Sequence, residues 1–147
     1  MKKIMVLLAM TCTLGTTYAF SGEEPISNRA LEAFRTEFAG ATEISWSAGT
    51  DSYKVTFTLN EQKLFAFYTT DGEFVAVTRN ISSVQLPLNL QTNLRTVSAK
   101  YWITDLFEVS DRDGTTYYVT LENADTKVVL RSTGGSGWSA YQKNQKF

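Results

Sequence analysis

The sequence predicts an α+β fold. It reads as two tandem repeats of one helix plus a four-stranded antiparallel meander, with the helices on one face of the sheet. Three observations predict this. Apolar residues recur at helical spacing twice, at Leu31, Phe34 and Phe38, then at Leu90, Leu94, Val97 and Tyr101. Each stretch is followed by runs that alternate at period two between turn signals. The halves also match: Tyr53-Lys54-Val55-Thr56-Phe57 returns as Tyr117-Tyr118-Val119-Thr120-Leu121 at an offset of 64, and Phe74 meets Trp138 at the same offset. Upstream the offset is 63, with Phe34 meeting Val97 and Ile44 meeting Phe107. A match this long reads as a duplicated unit, about 26–81 and 86–141, and not as a solenoid.

The first element is an address. Lys2 and Lys3 precede the apolar run Ile4–Met10, and Thr17-Tyr18-Ala19 places small residues three and one before a cut. That is the layout of a secretory signal peptide over residues 1–19. The run is shorter than the about 20 apolar residues of a spanning helix, so no transmembrane segment is expected in the mature chain. Cleavage after Ala19 removes Cys12 as well, and Met10-Thr11 is a poor approach to a lipid-accepting cysteine. What remains, residues 20–147, is one domain that keeps 12 basic and 15 acidic side chains with neither thiol nor histidine. Export to the periplasm or beyond suits a chain with nothing to oxidise. A nearly balanced charge gives no field that would gather nucleic acid.

In the first half, Ser27 is the expected N-cap and Gly40 the expected stop. Strands follow at Ile44–Trp46, Tyr53–Leu59, Leu64–Tyr68 and Phe74–Ala76, with turns at 48–51, 60–61 and 70–72. In the second half, Pro87 opens the helix. Phe107/Val109, Tyr117/Val119/Leu121, Val128/Leu130 and Trp138/Ala140 mark its strands.

The helix ending in Phe38, Ile44-x-Trp46, Tyr53-x-Val55-x-Phe57, Tyr68-Thr-Thr-Asp-Gly72 and Leu86-Pro87 together resemble the PepSY-like domains, a group similar to the β-lactamase inhibitor protein. The resemblance covers residues 27 to 141. It implies a secreted or periplasmic protein of tandem helix-plus-four-strand units with no catalytic residues. The inhibitor that lends the group its name binds an enzyme through the concave face of its sheet. This chain lacks that inhibitor's disulfides and matches none of its contact residues.

No catalytic set is found. Without histidine, Ser–His and Cys–His pairs cannot be built, and no serine has lysine three positions on. No cofactor is expected, and zinc or copper sites lack their usual ligands. Asp111, Asp113 and Glu122 take the spacing of a calcium loop, but Thr116 stands where glycine is needed and the stretch runs into a strand. Gly134-Gly135-Ser136-Gly137 precedes a strand, not the helix a phosphate cradle opens. An eight-stranded membrane barrel is excluded by short strands and interrupting helices.

The aromatic surplus, 13% of residues, is the positive signal. If Tyr53, Val55, Phe57, Leu64, Ala66, Tyr68, Phe74 and Ala76 face the helices, then Phe65, Phe67, Val75, Val77 and Arg79 face away. The second half adds Tyr118, Val129, Arg131 and Tyr141 to that face. Aromatic residues and arginine anchor protein interfaces, so this face is the expected site for a cell-envelope protein partner. The register of the fourth strand depends on the 70–72 turn: a three-residue bulged loop keeps Phe74 beside Tyr68, and a two-residue turn flips it. The alternative is a small-molecule pocket between sheet and helices, lined by Trp46, Tyr68 and Trp102.

Overall fold

The computed structural model describes residues 25–145. The signal-peptide reading falls outside the described residues. Helix α1 (Asn28–Glu37) begins where Ser27 accepts a hydrogen bond from the Ala30 amide at 3.3 Å, and the chain reverses at Gly40, whose φ is 88°. Strands β1 (Thr42–Ala48), β2 (Ser52–Leu59), β3 (Gln62–Thr69) and β4 (Phe74–Asn80) follow. A 3₁₀ turn at Ser83–Gln85 leads into α2 (Leu88–Val97), then β5 (Trp102–Asp111), β6 (Gly114–Glu122), β7 (Thr126–Thr133) and β8 (Ser139–Gln145). Of the expected α2 stripe, Leu90 and Leu94 are buried and Val97 is 40% exposed.

These strands form one sheet in the order β1-β2-β3-β4-β5-β6-β7-β8, antiparallel throughout. That corrects the expected architecture. Two helix-plus-meander units side by side would leave β4 and β5 as bare edges, each with a row of unpaired backbone groups. Instead Val77, Thr78, Arg79 and Asn80 pair with Ser110, Val109, Glu108 and Phe107, and the meander runs straight across the midline. The molecule is mostly sheet, and two ten-residue helices do not make a covering layer over it.

The repeat offset is not constant along the chain. Equivalent elements begin 60 residues apart at the helices (Asn28, Leu88) and at the strands after them (Thr42, Trp102). The interval then grows to 62 (Ser52, Gly114), 64 (Gln62, Thr126) and 65 (Phe74, Ser139). The offset of 63 therefore misaligns the helices and the strands after them, whereas 64 aligns the β2–β3 hairpin with β6–β7, where Val55↔Ala66 and Phe57↔Leu64 correspond to Val119↔Leu130 and Leu121↔Val128.

The hydrophobic core is divided. Ala30 and Phe34 of α1 pack with Tyr53, Val55, Phe57, Ala66 and Tyr68. Phe34 meets Phe57 edge-on at 5.0 Å and Trp46 at 5.5 Å. Leu90 and Leu94 of α2 pack with Ile81, Leu86, Leu106, Val119 and Leu121. Strands β1 and β8 are the two edges. At β1 a bulge between Thr42 and Ser45 puts Glu43 at φ 51°, and Thr58 donates a hydrogen bond to its carboxylate at 2.7 Å.

Candidate functional site

Register decides which side chains share the face turned away from the two core clusters. In β3 the partners of Val55 and Phe57 are Ala66 and Leu64, so Phe65 and Phe67 point to the other side. There Lys54 Nζ lies 4.7 Å and Lys63 Nζ 6.0 Å from the centre of the Phe65 ring. Both phenylalanines are half-buried.

Strand β4 does not follow the expected alternation. Phe74 pairs with Tyr68, as the three-residue-loop reading required, but Ala76 then pairs with Phe67. Val75 is the extra residue between them, and a bulge exchanges the faces of everything after it. Ala76 therefore shares the side of Phe67. Val77 pairs with Ala66 and packs against the first core cluster. Arg79 follows Val77 to the core side, where its Nε donates to Glu108 Oε1 at 2.5 Å and its Nη1 donates to Gln62. So Phe65 and Phe67 stand together, while Val77 and Arg79 are on the opposite face.

The second half assembles a tighter group. Tyr118 is paired with Phe107 on one side and Arg131 on the other. The Phe107 and Tyr118 rings stack at 5.2 Å, and Tyr141 meets Tyr118 edge-on at 5.5 Å. The Arg131 guanidinium carbon lies 5.3 Å from the centre of the Tyr141 ring. Burial raises the Tyr118 hydroxyl above the ordinary tyrosine range, and Tyr141 adds to the effect, while Arg131 pulls it back. Val129 shares this side through its partner Thr120.

Phe107 is the member that the sequence reading named only as a strand marker and did not place on this face. Leu106 is the buried neighbour, and Glu108 and Ser110 share its side, so the apolar Phe107/Val109 alternation points outward. Both helices send their buried side chains to the core clusters, so among the described residues no helix lies over the Phe65–Phe107–Tyr118–Tyr141 side.

The alternative trio is not one site. Trp46 and Tyr68 contact each other at 5.8 Å inside the first cluster, and Tyr68 donates to Glu37 at 3.3 Å. Trp102 is 69% exposed at the start of β5. The calcium-like spacing has a local use: Asp111 Oδ1 accepts from the Asp113 and Gly114 amides at 2.8 and 3.0 Å and shapes the β5–β6 turn. Glu122, at the far end of β6, accepts from Thr104 and pairs with Lys127. Among the described residues no three carboxylates or thiols converge to hold a metal.

A single antiparallel sheet with two short helices is a fold also seen in solved structures. One is a BLIP-like protein from Bacteroides fragilis NCTC 9343, with a TM-score of 0.72 at 18% identity over 84% of this chain and 89% of that one. A DUF2874 family protein from Bacteroides ovatus ATCC 8483 gives 0.72 at 14% identity, with the same coverage of 84% and 89%. A third, described as a candidate periplasmic protein from Bacteroides eggerthii DSM 20697, gives 0.71 at 13% identity over 82% and 89%. These likenesses show a BLIP-like fold. No family model matches the chain, and no curated protein matches its sequence. No helix among the described residues is long and apolar enough to cross a membrane.

Proposed function

We propose that this is an exported, non-catalytic binding protein of the PepSY-like kind that holds a cell-envelope protein against the outer side of its sheet. One observation carries the reading: Phe107, Tyr118, Arg131 and Tyr141 form a continuous ring-and-guanidinium cluster on a side that faces away from both core clusters. The aromatic rings offer large apolar area at low side-chain entropy cost, and Arg131 adds charge. The Lys54–Phe65 contact and Phe67 extend the surface across the midline. Export is supported by the signal-peptide layout of residues 1–19 and by a fold neighbour described as a candidate periplasmic protein.

The test is capture from envelope extract by the purified mature protein, followed by mass spectrometry. Arg131→Glu and Phe67→Glu change outer-side groups, so both variants are expected to keep wild-type far-UV circular dichroism and lose the captured protein. Unchanged capture by both overturns the assignment of this face.

A further inference from the structure

The core side of the sheet changes character at the midline. On either side of it the register positions facing the core carry Val55, Phe57 and Ala66, or Leu106, Val119 and Leu121. Between the two clusters the same side carries Gln62, Arg79, Glu108 and Ser110. These four rim a recess of about 240 Å³ whose apolar floor is Leu59, Leu64 and Val77. At about 30 Å³ per liquid water the recess has room for roughly eight waters, which is the heavy-atom count of a small organic molecule. The Arg79 and Glu108 side chains are 29% and 17% exposed, so both are partly withdrawn from water at its wall.

The geometry points to a binding site for an apolar α-amino acid in this midline recess. Arg79 donates Nε to Glu108 and Nη1 to Gln62, which leaves the Nη2 edge of a five-donor guanidinium available for a carboxylate. Glu108 uses Oε1 toward Arg79 and has Oε2 for an ammonium group. A lone anion would gain from Arg79 and lose to Glu108, and a lone cation the reverse. A zwitterion complements both, and Leu59, Leu64 and Val77 take its side chain. The site is on the opposite face from the aromatic cluster and does not depend on it.

L-leucine is the probe, read by thermal unfolding of the mature protein. A saturating excess is expected to raise Tm by about 3 °C, because it binds only the folded chain. Isovalerate and isopentylamine, each lacking one charge of the zwitterion, are expected to give no rise. Removing one member of a half-buried ion pair can itself destabilise, so the decisive variant is the double change R79M/E108Q, which leaves no orphan charge. It is expected to fold and to lose the response, while Phe67→Glu retains it. No rise in the wild type, an equal rise with isovalerate or isopentylamine, or a response that survives R79M/E108Q would each overturn the assignment.

Discussion

Tyr68 is fully buried, and its hydroxyl donates to Glu37. Burial first, and the Glu37 carboxylate second, hold its pKa well above the ordinary tyrosine value of 10.0. Above about pH 10 the unfolded chain has released this proton and the folded chain has kept it, so stability falls as pH rises. The slope approaches about 1.4 kcal/mol per pH unit for each such tyrosine. Tyr68→Phe is expected to flatten the fall above about pH 10 in urea unfolding. Tyr118, raised in the same direction, adds to the fall. Ser132 makes the converse case: its Oγ is buried on the core side with no hydrogen-bond partner among the described residues. Ser132→Ala should therefore raise the unfolding free energy by about 1 kcal/mol in the same assay.

At the scale of elements, the tightest joint is the β3–β4 turn against the start of α1. Gly72 has φ 84°, and a Cβ there would stand 2.6 Å from Arg29 Cβ and 2.7 Å from the Ala30 amide nitrogen. Gly72→Ala combines a left-handed backbone with a steric clash, so it should cost about 2 kcal/mol or more, with an unchanged urea m-value. Gly114→Ala, which meets nothing within 4 Å, should cost less. Most elements were legible in the sequence because caps and turns have local chemistry: Ser27 caps, and Asp111 and Asn123 close their hairpins through side-chain bonds to backbone amides. Faces were harder. In Phe74-Val75-Ala76-Val77 nearly every position is apolar, so no pattern marks the bulge at Val75 that moves Val77 and Arg79 to the core side. In β5 the more apolar alternation, Phe107 and Val109, is the outward one, because the core side there carries Glu108 and Ser110. Two errors of one residue account for the displaced members of the candidate site.

Over the whole molecule, a continuous sheet joins two separate cores. Hydrogen bonding across β4–β5 ties the halves together, while Phe34 and Leu90 sit in different clusters. The ladder is expected to dominate, giving one cooperative transition. Leu90→Ala leaves a cavity in the second cluster and should cost about 2–5 kcal/mol. Its melt, followed through the fluorescence of Trp46, Trp102 and Trp138 and by far-UV circular dichroism, should shift as one curve. Separate midpoints would mean the halves unfold independently. The sequence suggested two units because helical and strand patterns recur. It did not reveal their fusion, since strand pairing across the midline is a non-local contact that periodicity within a strand does not encode.

The kinked β1 rim has a consequence for how this chain behaves when concentrated. Glu43 turns the backbone left-handed there, and Thr58 binds its carboxylate, so a second copy cannot dock a straight ladder onto that border. At the opposite border, β8 is straight after Tyr141 and offers Gln142, Lys143, Asn144 and Gln145. A polymer grown by strand addition is expected to nucleate there rather than at β1, and the ammonium of Lys143 is a deterrent that raising ionic strength weakens.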